Sequence, residues 1–170
     1  PELYAWSFSA TLGWLQIVAT LLAILLIWLI YSDLVLRLSW VPNTADALFP
    51  FFIGILQFAQ ISSLGPERIG VWFGILGVLF AAVAWISQFT MKRARRDEDN
   101  REFFKDIEPA TWRDHLWSAI PAVVLMLVGL GLSITANQGW FAMLALSGAL
   151  VLLILQIWLT HVYVQRSYAI

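Results

Sequence analysis

An apolar run near the start of the chain is the feature that most limits its fold. Residues 11–31 read TLGWLQIVATLLAILLIWLIY and contain no charged side chain. A helix needs about 20 predominantly apolar residues to cross the hydrocarbon core of a bilayer. A secretory signal, by contrast, has a shorter apolar region that follows basic residues. The run therefore predicts a transmembrane helix that the protein retains.

Four further apolar segments follow, and each is bounded by polar or turn-forming residues. They cover about 47–64, 69–90, 116–136 and 140–164. Only 12% of the chain is charged, against about 25% in soluble domains. The short connections at Gly65-Pro66 and at Gly139 favour antiparallel hairpins. We expect an all-α, polytopic integral membrane protein: a single domain, 1–170, with five transmembrane helices.

The basic residues predict the orientation of these spans. Five spans place the 32–46 loop, the 91–115 loop and the C-terminus on one side. Nine of the ten basic residues then share that side: Arg37, Lys92, Arg93, Arg95, Arg96, Arg101, Lys105, Arg113 and Arg166. Cytoplasmic loops carry the excess of Lys and Arg in membrane proteins. We expect the N-terminus outside, the C-terminus and the 91–115 loop in the cytoplasm, and residence in the cell membrane.

Aromatic residues gather near the ends of the predicted spans. Trp6, Trp14, Trp72 and Trp140 fall near the outer boundary, and a second group falls near the inner one. Tryptophan is enriched at membrane interfaces because its ring is apolar while its N–H seeks water. The sequence thus predicts two interfacial belts.

The second span carries a polar stripe. Asp46, Gln57 and Gln60 lie on one side of a helix, together with Pro50 and Gly54. Such a stripe is suited to lining an aqueous passage. It is equally suited to hydrogen bonds between helices, each contributing about 0.6–2 kcal/mol. Both interpretations stay open.

The third span carries small residues at helical spacing. Gly70, Gly74, Gly77 and Ala81 fall on one face. This pattern lets helix backbones approach closely in a membrane. The face predicts either packing within the bundle or association with a second chain.

The two histidines are the candidate cofactor ligands. His115 opens the fourth span and His161 closes the fifth, so both lie near the cytoplasmic boundary. Axial ligation of a haem needs such a pair at matched depth. No cysteine is present and no third histidine or matched carboxylate accompanies the pair, so we expect no metal site.

Two local features concern the cytoplasmic side. Asp33 and Arg37 are four residues apart, which predicts an ion pair at the end of the first helix. In the 91–115 loop, Phe103, Phe104 and Ile107 share one side of a predicted helical turn. We expect them on the membrane surface or against a partner.

The sequence favours a non-enzymatic membrane subunit. It contains no phosphate-binding glycine loop, nucleophile motif or paired catalytic carboxylates, and its balanced charge offers no basic face to nucleic acid. We expect it to lie in the lipid bilayer, without a cofactor, and to assemble with itself or with other membrane subunits. One alternative is an oligomeric channel with a glutamine-lined pore. The other is a membrane redox subunit associated with haem or quinone.

Overall fold

The structure is a computed structural model that describes residues 2–39, 44–105, 112–135 and 139–168. Side chains are described at 9–39, 44, 46–105, 119–135 and 139–158. In these ranges the chain forms five α-helices and no β-strand, which confirms the all-α fold class. The helices are α1 (Glu2–Arg37), α2 (Thr44–Ser62), α3 (Ile69–Ala94), α4 (Trp112–Ile134) and α5 (Gly139–Tyr168).

Three segments of the structure are helical, long and apolar enough to cross a bilayer. They are Ser9–Arg37, Pro66–Ala94 and Gly139–Trp158. The apolar parts of α2 and α4 are shorter, at Asp46–Ser62 and Ala119–Ile134. By length and composition, the three long segments are consistent with residence in a membrane.

Successive helices run in alternating directions between two ends of the bundle. At the Gly65 end, α2 stops and α3 begins; at the Arg93 end, α3 stops and α2 begins. The ion pair between Asp46 and Arg93 joins the start of α2 to the end of α3. Gly70, near the start of α3, faces Ser133, near the end of α4. The helices thus form an up-and-down bundle in which α3 packs most extensively on α4, and α1 on α5.

Among the described side chains, the main buried core lies in the half of the bundle next to the Gly65 end. Its buried apolar side chains come from α1, α3, α4 and α5: Leu12, Ala19, Ala23, Leu26, Ile69, Trp72, Phe73, Leu76, Leu125, Leu132, Ala142, Leu146, Ala149 and Leu153. Nearer the Arg93 end, residues 27–37 of α1, 80–89 of α3 and 154–158 of α5 include none that is buried. The main core therefore ends partway along the bundle.

The segment after α3 folds back onto the end of α1. Asn100 donates from Nδ2 to the carbonyl oxygens of Ser39 and Ala94, the latter at 2.8 Å. Its Oδ1 accepts from the backbone N–H of Ser39 at 2.8 Å. Through this Asn100 contact, one buried side chain joins the segment after α3 to the residues that follow α1.

A second small core lies beside the Asn100 contact. Phe104 packs with Leu38 and Ala94, and the guanidinium of Arg95 lies 4.6 Å from the centre of its ring. The expectation of a membrane-facing or partner-facing Phe104 is therefore wrong, because the chain's own helices cover it. Ile107 lies outside the described residues.

Candidate functional site

The glycine face of α3 packs against α4. A Cβ placed on Gly70 would come within 2.8 Å of the Gly129 carbonyl oxygen, and one on Gly77 within 2.8 Å of the Ala122 carbonyl oxygen. A Cβ on Gly129 would lie 2.6 Å from the backbone nitrogen of Gly74. Real Cβ atoms do not approach backbone atoms so closely. The two helices are therefore in backbone contact along a seam that requires glycine on both sides.

The remaining residues of that face are less constrained. A Cβ on Gly74 would meet no described atom within 4 Å, and Ala81 is half-buried. The sequence pattern did not reveal Gly129, although Ala122, Gly129 and Ser133 are themselves spaced at seven and four residues on α4. Small residues at helical spacing on both α3 and α4 could have indicated that these two helices pack together.

The polar stripe of α2 is divided between two environments. Asp46 lies at the Arg93 end, where Arg93 Nη1 donates to Oδ1 at 2.9 Å and to Oδ2 at 2.8 Å. The same guanidinium lies 5.7 Å from the centre of the Phe89 ring. Asp46 thus fixes the start of α2 to the end of α3.

Gln57 and Gln60 lie inside the chain's own bundle. Gln57 is 8% exposed and Gln60 is fully buried. Among the described residues, neither Gln57 Nε2 nor either amide atom of Gln60 has a hydrogen-bond partner. An unpaired buried amide costs stability. Their burial does not favour a pore that several copies would line with these side chains.

A hydrogen-bonded chain of three polar residues ties α1 to the α2–α3 turn and to α3. Gln16 Oε1 accepts from the backbone N–H of Gly65 at 3.0 Å. Thr20 Oγ1 donates to the Gln16 carbonyl oxygen at 2.8 Å and accepts from Trp72 Nε1 at 2.9 Å. Gly65 itself has a φ of 130°, a conformation that favours glycine.

Trp72 is therefore not exposed to lipid or water, as a residue of an interfacial belt would be. It is fully buried, and its N–H is satisfied by Thr20 instead of water. Trp14 and Trp140, which the sequence also placed in the outer belt, are largely exposed, as a belt requires. The position of a tryptophan near the end of a span therefore does not distinguish a buried side chain from an exposed one.

Two adjoining cavities lie in the less tightly packed half of the bundle. The smaller, about 40 Å³, lies between α1, α2 and α3. The larger, about 200 Å³, lies between α1, α3, α4 and α5. They share four lining residues: Ile27, Ile30, Val83 and Ser87. The cavities are thus two compartments on either side of the gap between α1 and α3.

The candidate haem ligands belong to helices but their side chains fall outside the described part of the structure. His115 lies on α4 and His161 on α5. Among the described residues, no group of three or more His, Cys, Asp or Glu side chains could hold a metal ion.

No family model, no curated protein and no solved structure matches the chain.

Proposed function

We propose that the chain is a five-span protein of the cell membrane, with the Gly65 end outside and the Arg93 end in the cytoplasm. The alternating helix directions support this, since α2 and α4 run between the same two ends as α3. At 1.5 Å per residue, the 19 residues of α2 and the 23 of α4 are about 28 and 34 Å long. Both helices are long enough to cross a hydrocarbon core of about 30 Å, and their described apolar parts, Asp46–Ser62 and Ala119–Ile134, are shorter than that core.

The distribution of charge supports the same orientation. Residues 92–101 contain five basic side chains and lie at the Arg93 end. Cytoplasmic ends of membrane proteins carry such an excess. Asp46 and Arg93 form an ion pair at this end, so the carboxylate at the start of α2 is neutralised at the proposed membrane boundary.

Within that membrane, we propose that the protein is a non-enzymatic subunit that assembles with itself or with other membrane subunits. The observation that carries this proposal is the outer face of α2. Phe51 and Phe58 are each 73% exposed and Ile55 is 67% exposed. They surround Gly54, where a Cβ would meet no described atom within 4 Å, and together line a shallow groove.

The groove has the form of a helix-docking surface. A glycine between larger side chains lets a neighbouring helix approach closely, which favours association in lipid. Among the described side chains of α2, by comparison, the inner face buries Ile53, Gln57 and Gln60. The polar side chains of Gln16, Thr20 and Trp72 are already used within the chain. They form hydrogen bonds that join α1 to the α2–α3 turn and to α3.

Disulfide crosslinking tests the assembly directly. The chain has no cysteine, so a single introduced thiol reports on one position. Mild oxidation of native membranes should crosslink Ile55→Cys to the same residue of a second copy, or to another membrane subunit that has a cysteine at this surface. Val151→Cys, on the exposed face of α5, is the matched control and should give little product. A chain that remains monomeric in mild detergent, without an Ile55 crosslink at native expression, would contradict the proposal.

A further inference from the structure

The two adjoining cavities occupy the region where the core ends. Their walls come from α1, α2 and α3 on one side and from α1, α3, α4 and α5 on the other. The Asn100 contact and the Asp46–Arg93 pair lie beyond them at the Arg93 end. The space is therefore bounded by the main core at one end and by polar contacts at the other.

The lining is suited to hydrocarbon. Of the described side chains around the larger cavity, Ser87 and Gln156 are the polar ones, and Ser87 recurs in the smaller cavity. A water molecule in a cavity needs two to four polar partners, and apolar cavities of about 150 Å³ stay dry but accept benzene or xenon. At about 200 Å³, the larger cavity has room for part of a hydrocarbon chain.

An aromatic pair stands at the edge of the smaller cavity. Trp28 is 46% exposed and Tyr31 is 38% exposed, and their rings meet edge to face with centroids 5.7 Å apart. Pro50, on α2, lines the same cavity and the outer groove beside it. The smaller cavity therefore lies beside the outer surface of α1 and α2, and it extends inward to Val83 and Ser87 on α3.

We infer that this space binds one acyl chain of a bilayer phospholipid from the leaflet at the Arg93 end. The headgroup would lie at the boundary, where Trp28 and Tyr31 provide the aromatic edge. Lys92 and Arg96 are exposed at the same end and favour an anionic headgroup. The inference rests on the proposed membrane residence and goes beyond it, because the site lies between helices and not on their outer surfaces.

Photocrosslinking from the acyl chain tests the site. The protein is reconstituted in phosphatidylethanolamine and phosphatidylglycerol vesicles that contain a phosphatidylglycerol with a diazirine halfway along one chain. After illumination, peptide mass spectrometry should find the label on Ile30 and Ser87, which line both cavities. Label on Val151 and Ile154, exposed on α5, serves as the internal control for contact with lipid.

Filling the cavity distinguishes binding from general contact. Val83→Phe places a ring at the junction of the two cavities and should abolish the label on Ile30 and Ser87 while α5 remains labelled. Val78→Phe, on an exposed position of the same helix, should change neither. Equal labelling of Ile30 and Ser87 in Val83→Phe and wild type would overturn the site. Loss of label on α5 in the wild-type protein would instead count against membrane residence itself.

The unfolding temperature provides a second test of the site if Val83→Phe fails to fold. Ala84→Leu fills the larger cavity with less added volume. In detergent, phosphatidylglycerol should raise the unfolding temperature of wild type and raise that of Ala84→Leu much less. An equal increase in both proteins would contradict an acyl chain in this space. The same lipid series with phosphatidylcholine tests the preference for an anionic headgroup, which predicts a smaller increase.

Discussion

The helices are held together by different contacts in the two halves of the bundle. Near the Gly65 end, α3 and α4 touch through their backbones at Gly70, Gly77 and Gly129, and buried side chains fill the space around them. Near the Arg93 end, cavities lie between the helices, and polar contacts at Asn100 and Asp46 join their ends. Because lipid is as apolar as a leucine side chain, close contact and hydrogen bonds are the main sources of helix association. The Gly65 end uses both sources, since Trp72 also donates to Thr20 there, whereas the described contacts of the Arg93 end include no backbone seam.

The largest effect is expected at the glycine seam. Gly129→Ala would place a methyl group 2.6 Å from the Gly74 backbone nitrogen, so α3 and α4 must separate. We expect the free energy of unfolding, measured by SDS titration in mixed micelles, to fall by roughly 2–3 kcal/mol.

Gly148→Ala is the matched control for the seam, since a Cβ there would meet no described atom within 4 Å. Alanine is also the better helix former, so this variant should be as stable as wild type or slightly more stable. Equal losses in the two variants would show that the seam is not in backbone contact.

A smaller effect is expected at the Thr20–Trp72 hydrogen bond. Thr20→Val keeps the shape of the side chain but removes the acceptor of the buried Trp72 N–H. Unfolding in mixed micelles should become easier by about 1 kcal/mol. Thr135→Val, at an exposed threonine just after α4 that donates to the Gly131 carbonyl oxygen, should change little.

A double-mutant cycle with Trp72→Phe isolates the pair. If the bond supplies the loss, Thr20→Val should have little additional effect once Trp72 has been replaced. Additive losses would mean that the two residues act independently.

A local effect is expected at the Arg93 end. Asn100→Ala removes three hydrogen bonds that hold the segment after α3 against Ser39 and Ala94. We expect faster tryptic cleavage at Arg101 and Lys105, with little change in unfolding of the whole bundle, since the main core lies elsewhere. Asp99→Ala, at an exposed neighbour, should be cleaved at the wild-type rate. A large loss of global stability in Asn100→Ala would mean that the two halves are not independent.

The smallest effect, of opposite sign, is expected at Gln60. Neither of its amide atoms has a hydrogen-bond partner among the described residues. Gln60→Leu therefore removes a buried polar group without removing any of the described hydrogen bonds. Stability should be unchanged or rise by up to about 1 kcal/mol. A loss of similar size would indicate that Gln60 has a hydrogen-bond partner in the folded protein.

Periodicity and helix-end chemistry could be predicted from the sequence. The apolar runs located all five helices, and the i,i+4 spacing predicted the contact that Arg37 makes with Asp33, which the structure confirms. The helices extend beyond the predicted spans: α1 runs from Glu2 to Arg37 around the predicted span 11–31, and α4 begins at Trp112, ahead of the span predicted to start near Leu116. The last turn of α1 is followed by the Ser39–Asn100 contact, a long-range interaction that local patterns do not report.

Partners across helices could not be predicted from one sequence. The glycines of α3 marked a close approach, but the choice of α4 as partner depends on how the helices are rotated in three dimensions. Trp72 resembles an interfacial tryptophan by position, and only the placement of Thr20 on α1 shows why it is buried. Likewise, the cavity follows from where the core ends along four helices, which no single segment encodes.

The central claim is that all five helices cross the membrane with the Arg93 end in the cytoplasm. Single cysteines in place of Glu67, Glu98 and Arg166 test it with a membrane-impermeant maleimide, because the chain has no cysteine of its own. In intact cells, Glu67→Cys should be labelled, and Glu98→Cys and Arg166→Cys only after permeabilisation. If only the three long segments cross, two patterns are possible: Glu98→Cys alone labelled, or Glu67→Cys and Arg166→Cys labelled together. Either pattern would contradict the five-span bundle.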